Sequence, residues 1–163
     1  MAKSDSFFIR AKTNTDGTNY AQTSVDLGAY VDALGKSVLR IHNIEVQYGS
    51  PLELVNGAVN TTSRSGFQLT TQSQTALVGI TDKSVIASGS LTIATNNTNA
   101  DFIQDTLDVG PQRWTKGYLV GVEQIYLGVA QTFDHVDEIS IMLECTVETL
   151  SQAGAMALAL SQQ

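Results

Sequence analysis

A chain of 163 residues is long enough to bury a sizeable core, and its one cysteine, Cys145, has no partner for an intrachain disulfide. The net charge is −7 and the nine Lys and Arg residues are scattered, which argues against a nucleic-acid-binding surface, because phosphate neutralisation needs clustered basic side chains. Only 15% of the residues are charged, while 52 are Ser, Thr, Asn or Gln, and such residues suit protein contacts as well as ordinary strands and turns.

The first third of the chain predicts strands interrupted by one short helix. Apolar residues alternate with polar ones over Phe7–Ala11 and again over Ser24–Leu27. Ala29–Leu34, which a glycine follows, predicts one or two helical turns. Leu39–Tyr48 alternates with a single slip at His42–Asn43, which indicates either a β-bulge or a strand that bends from one sheet into another, and the length of the segment favours the bent strand.

Short apolar pieces with strand character occupy the middle of the chain, and Gly- and Asn-rich turns separate them. A short helix is a candidate over Asp101–Leu107. Tyr118–Val129 shows another long alternation with a slip at Glu123–Gln124, and its length favours one bent strand that crosses a sandwich. The short apolar pieces are Phe67–Leu69, Leu77–Ile80, Val85–Ile86 and Leu91–Ile93.

The clearest strand lies near the C-terminus, where apolar residues of Ile139–Val147 occupy every second position. Leu150–Gln163 is rich in Ala and Leu and predicts a C-terminal tail or short helix, which Gly154 weakens. With about eight strands and no internal repeat or linker, residues 1–163 are predicted to form one domain. The predicted fold is all-β, an antiparallel sandwich or barrel with little helix.

No catalytic constellation is evident, so no catalytic or cofactor-binding residue is predicted and the chain is not expected to be an enzyme. Neither His42 nor His135 accompanies a serine on a Gly-x-Ser-x-Gly elbow, and the nearest similar segment, around Ser50, is a turn. Cys145 occupies the buried phase of the last strand, so we interpret it as a core residue rather than a nucleophile.

No metal-binding residue is predicted, although a structural calcium ion stays open. One cysteine and two separated histidines do not supply a zinc site. An Asn-rich loop and an acidic cluster offer oxygen ligands, but the loop lacks the Gly and the distal Glu of an EF-hand. The loop residues are Asn96, Asn97, Asn99 and Asp101, and the acidic residues are Asp134, Asp137 and Glu138.

Two aromatic residues raise the question of a sugar site. Trp114 and Tyr118 could line such a site on a sandwich, although a lone tryptophan also suits the core. The N-terminal residues lack the apolar run of a signal peptide, and no stretch of 18 apolar residues occurs. We therefore expect synthesis in the cytoplasm without a membrane-spanning helix.

Three features spread over the whole chain carry a family resemblance: about eight strands, the long segments Leu39–Tyr48 and Tyr118–Val129, and the terminal strand Ile139–Val147. In these the chain resembles the single jelly-roll capsid proteins of tailless, membrane-containing icosahedral viruses of archaea and bacteria. The resemblance implies a jelly-roll sandwich that stands in a capsid shell of the virion, is made in the host cytoplasm and carries no catalytic residues. The lack of a basic arm departs from capsid proteins that grip RNA, and fits a shell that a membrane separates from the genome.

The resemblance implies partners that are copies of this chain and other capsid proteins, without direct contact to nucleic acid and with an internal membrane as a further candidate. Phe7 and Phe8 are adjacent, so on a strand one of them must find an apolar surface outside its own core. The apolar tail poses the same problem and predicts a contact with a neighbouring subunit, unless the tail folds back over its own sheet. Its apolar residues are Ala153, Ala155, Met156, Leu158 and Leu160.

Two other functions are alternatives to a capsid shell. One is a carbohydrate- or receptor-binding sandwich module, and the other is a phage tail-tube or decoration protein. The size of the purified protein in solution separates them, because a binding module is expected to stay monomeric.

Overall fold

A computed structural model describes residues 4–32, 34, 36–52, 60–95, 102–107 and 112–163, and in these the chain forms nine β-strands and one α-helix. The strands and the helix are β1 Phe7–Asn14, β2 Ala21–Asp26, β3 Ser37–Tyr48, β4 Thr62–Thr70, β5 Val85–Thr95, β6 Phe102–Leu107, β7 Gln112–Val120, β8 Gln124–Gln131, β9 Glu138–Thr149 and α1 Gln152–Ser161.

The strands form two antiparallel sheets, one of four strands in the order β1-β9-β3-β7 and one of five in the order β2-β8-β4-β5-β6. Strands from the two halves of the chain pair in nested fashion, β1 with β9, β2 with β8 and β3 with β7, around the central pair of β4 and β5. A long double ribbon wrapped in this way into two sheets is a jelly roll. The predicted all-β, jelly-roll-like antiparallel sandwich is therefore confirmed.

Strand β6 corrects one prediction. Asp101–Leu107 was a candidate helix, but Phe102–Leu107 forms β6, which pairs with β5 and extends the five-stranded sheet. Hydrogen bonding to a neighbouring strand decides the conformation here, and a six-residue window does not reveal that neighbour. The candidate helix at Ala29–Leu34 is reduced to one turn, in which the N–H groups of Tyr30 and Val31 donate to the carbonyl of Leu27.

The two slips in alternation have different origins. In β3 the register shifts between Ile41 and Asn43, so Ile41 and Ile44 are both buried, as the β-bulge alternative requires. The whole of β3 lies in the four-stranded sheet, so the bent strand that its length favoured is wrong. The slip at Glu123–Gln124 marks the junction between two separate strands, so it is neither a bulge nor a bend within one strand. There β7 ends in the four-stranded sheet and β8 begins in the other, so the prediction of one continuous strand is wrong.

The core lies between the sheets, and β9 contributes one whole face to it. Ile139, Ile141, Leu143 and Cys145 are all buried, as the alternation predicts. The outward side chains of Thr146 and Glu148 are buried as well, which the alternation does not predict. They are covered because Arg40 of β3 binds the carboxylate of Glu148 through two hydrogen bonds of 2.7 Å.

The two ends of the sandwich carry different segments. At one end the β1–β2 and β8–β9 connections meet, and Thr15 donates its N–H to the carbonyl of Asp137. The other, which we call the helix end, gathers the β2–β3, β4–β5 and β7–β8 connections together with α1. The N–H of Leu27 there donates to the carbonyl of Glu123, which joins the β2–β3 connection to the β7–β8 connection. In the described part of the chain, no helix has the length and apolarity needed to cross a membrane.

Candidate interaction surface

α1 is fastened to the sandwich by the buried side chain of its C-cap residue, Gln162. Its Oε1 accepts a hydrogen bond from the N–H of Gly121 at 2.8 Å, and its Nε2 donates to the carbonyl of Leu119 at 2.7 Å. Its own carbonyl accepts from Thr71 Oγ1 at 2.9 Å. The amide of one glutamine therefore satisfies backbone groups at the β7–β8 turn, while the main chain reaches the β4–β5 connection.

Small residues let the helix approach the turn closely. Ala155 and Ala159 are buried, and a side chain on Gly121 would meet Leu158 and the backbone of Ala159 at about 3.0–3.1 Å. At the other end, Ser151 caps the helix by accepting from the N–H of Gly154 at 3.1 Å. The tail thus folds back over its own sandwich. The alternative that the tail folds back over its own sheet therefore holds for this buried face, and the contact with a neighbouring subunit stays a prediction for the rest of the tail.

A second face of α1 stays open to solvent. Ala153, Met156, Ala157 and Leu160 are exposed, and the two large side chains are 44% and 68% accessible. No charged residue occurs from Leu150 to Gln163. We call these four residues the outer stripe.

The helix end collects most of the exposed apolar side chains of the described chain. Six of the nine large hydrophobic residues that are exposed lie in its connections or on α1. Exposed apolar side chains that cluster are a common feature of interaction sites, so these connections and α1 are a candidate interaction surface. The six are Tyr30, Leu34, Leu77, Ile80, Met156 and Leu160.

The adjacent phenylalanines of β1 face opposite ways, as the strand period requires. Phe7 packs against the core cluster and stacks on Tyr30 with ring centroids 4.8 Å apart. Phe8 is about half exposed, and the guanidinium of Arg10 lies 5.7 Å from its ring centroid. The outer face of β1 therefore adds an apolar side chain to the exposed surface.

A shallow groove of about 550 Å³ runs over the outer face of the four-stranded sheet, where β9 lies between β1 and β3. Arg10 and Lys12 line one side, Glu45 lines the other, and Met142 lies between them. Lys12 donates to the carboxylate of Glu138 at 2.7 Å. The groove offers both signs of charge around an apolar centre, as an exposed sheet face commonly does.

The candidate catalytic residues lie in separate surroundings. Burial raises the pKa of the Cys145 thiol to about 12, and the nearby charge of Glu144 acts in the same direction, so a thiolate is scarce at neutral pH. His42 hydrogen-bonds Thr146 Oγ1 at 2.9 Å on the opposite face of the sheet. The ring of His135 lies 3.2 Å from Asp137, and Ser50 lines a pocket of about 170 Å³ whose described walls include Asp137 but not His135.

The candidate calcium ligands do not form a common centre where they are described. Glu138 is engaged by Lys12, and Asp137 by His135. Among the described residues, no group of three or more His, Cys, Asp or Glu side chains could hold an ion. The Asn-rich candidate loop, residues 96–101, lies outside the described residues.

The aromatic pair proposed for a sugar site packs inward. The rings of Trp114 and Tyr118 have centroids 5.8 Å apart, and both side chains pack against the main core cluster. Burial raises the pKa of the Tyr118 hydroxyl, and a hydrogen bond with Gln162 partly offsets this effect. The pair therefore braces the strand on which α1 rests.

No protein-family model matches this chain, and no curated protein is similar to it in sequence. The fold and the helix end are therefore the evidence on function.

Proposed function

We propose that this protein is a structural subunit that assembles with copies of itself into the capsid shell of a virus. The observation that carries the proposal is a jelly roll whose C-terminal helix, α1, presents an exposed apolar face in a segment without charged side chains. Jelly rolls also occur in lectins and cupins, so the fold alone does not decide between functions. The apolar end favours assembly, because such patches mark protein contacts.

The competing sugar-binding function receives less support from the geometry. A sugar platform needs an aromatic face that solvent reaches, whereas Trp114 and Tyr118 pack against the core. A tail-tube or decoration protein would also assemble, and the form of the assembly, a tube or a bound monolayer rather than a closed shell, distinguishes it.

The charges support a shell that does not touch nucleic acid. The net charge is −7, and two basic side chains of the four-stranded sheet are already engaged, Lys12 by Glu138 and Arg40 by Glu148. We expect copies of the chain and other capsid proteins as partners, no cofactor, and a location in the virion after synthesis in the host cytoplasm. An internal membrane would separate such a shell from the genome.

The test is to purify the chain, treat it with nuclease, and follow its mass by light scattering while ammonium sulfate is raised. Excluded salts strengthen apolar contacts and weaken those made by ion pairs, so we expect assemblies to grow with salt. Negative-stain microscopy should then show closed shells or curved sheets. A monomer at every salt and protein concentration would refute the proposed function, and tubes would point to the tail-tube alternative.

A further inference from the structure

α1 is apolar on two opposite faces. The inner face consists of the buried Ala155 and Ala159, the half-buried Leu158 and the buried C-cap residue Gln162. These four residues and the outer stripe both follow the spacing i, i+3, i+4, i+7. At 100° per residue, one set lies on the side of the helix opposite to the other. An apolar helix face is normally covered by other parts of the protein, but the sandwich covers only one of these two faces.

The outer stripe alternates in size in a way that complements itself. Its order is small, large, small, large: Ala153, Met156, Ala157, Leu160. If two copies of α1 pair antiparallel about a two-fold axis between positions 156 and 157, each Met156 faces Ala157 of the other copy. Each Leu160 then faces Ala153. Every large side chain meets a small one, which is the arrangement that lets helices pack closely.

The lack of charged side chains around the outer stripe favours a second protein copy over a lipid bilayer as its partner. Helices that lie on membranes carry Lys or Arg on their polar face to meet anionic headgroups, whereas residues 150–163 contain no charged side chain. The first turn of α1 has no acidic side chain and its last turn no basic one, so the helix itself brings no like charges together in the antiparallel arrangement.

The small area that two copies of α1 can bury limits the conditions in which they pair. A helix of 10 residues is roughly 15 Å long, so a single helix pair buries much less than the ~1,200 Å² of a stable interface. Pairing of α1 alone would not hold a free dimer together. It contributes where other contacts already place the subunits side by side, as in a shell, and in this sense the inference rests on the proposed function.

We propose that the outer stripe of α1 is a two-fold contact between subunits, in which α1 of one copy packs antiparallel on α1 of a second copy. Met156 and Leu160 are the large side chains of this contact, and Ala153 and Ala157 receive them.

Cysteine crosslinking tests the geometry, and the native Cys145 can stay because it is buried. Ala157→Cys lies next to the proposed axis, so oxidised assemblies should contain disulfide-linked dimers. Ala153→Cys alone should not crosslink, because two such positions lie about 10 Å apart along the axis, beyond the ~7 Å that a disulfide spans. Mixed with Leu160→Cys protein it should form the mixed dimer. Equal crosslinking by the exposed, off-stripe Gln152→Cys, or efficient crosslinking by Ala153→Cys alone, would overturn the proposal.

Charge substitution tests the contribution to assembly. Met156→Glu changes an exposed residue, so the folded monomer should keep its melting temperature while assembly falls at least tenfold. Gln152→Glu adds the same charge outside the stripe and should assemble normally. Normal assembly of Met156→Glu would overturn the helix contact and leave the capsid function standing, whereas failure of the unaltered chain to assemble would overturn the function itself. If the unaltered chain floats with phosphatidylcholine vesicles and the Met156→Glu variant does not, the outer stripe binds lipid rather than a second copy, and the proposed helix contact is wrong.

Discussion

Gln162→Ala is the sharpest test of how α1 is held on the sandwich. The substitution removes the partner of the Gly121 N–H and of the Leu119 carbonyl. A buried backbone group without a partner costs roughly 1–3 kcal/mol. The glycine N–H is in a buried bond and the carbonyl in a partly buried one, where water can substitute in part. We therefore expect a loss of about 2–3 kcal/mol in the free energy of unfolding.

The assay is equilibrium unfolding in urea, followed by the fluorescence of the single tryptophan, Trp114, in β7. The matched control is Gln163→Ala, an exposed neighbour of the same type, which should change stability by less than ~0.5 kcal/mol. The slope with urea should be unchanged, because the same surface is exposed on unfolding. Equal stability of the two variants would show that the amide of Gln162 does not hold the helix, and would refute the reasoning.

Three further predictions concern the four-stranded sheet. Leu143→Ala should cost about 2–5 kcal/mol in urea unfolding because Leu143 is fully buried, and a loss near zero would mean that β9 is misplaced. Cys145 should resist iodoacetamide at pH 8 until the protein unfolds, because its pKa is raised to about 12. The stability that its burial as a neutral thiol contributes is complete below the unfolded pKa of ~8.5 and is lost as pH rises towards 12. The hydrogen bond from Lys12 lowers the pKa of the Glu138 carboxyl. The stability from this ion pair is therefore present above the unfolded pKa of Glu138 and is lost as pH falls through its folded pKa. Lys12→Ala should raise the pKa of Glu138 in an NMR titration, and an unchanged value would contradict the ion pair.

Strict alternation predicted the best-defined parts of the fold because one face of each sheet is buried and the side-chain period is two. That is why Ile139 to Cys145 could be assigned to the core, and why the slip at His42–Asn43 was interpretable as a bulge. The same rule failed at Thr146 and Glu148, where the cover comes from Arg40 on a neighbouring strand. Contacts between strands distant in sequence leave no local pattern.

The interaction surface was only partly predictable. The apolar composition of the tail indicated an interaction, but not which of its residues would face the sandwich and which would face outward. The repeated spacing on two sides of α1 is present in the sequence and would have separated the two faces. Gln162 had no such signal, because its partners are backbone groups at Leu119 and Gly121 that only the fold brings to it.

The nested strand pairing has a consequence for how the chain folds. The N–H of Val147 donates to the hydroxyl of Ser4, 143 residues earlier, so the four-stranded sheet cannot close until the chain has been synthesised past Val147. Contacts of such high sequence separation make folding slow, because the entropy of a long loop is lost before the pairing rewards it. α1 is the last element in the chain, and its seat on Gly121 exists only once the sandwich is complete. The outer stripe is therefore in place only after the sandwich has folded, so the contact that we propose for it would form only between folded copies.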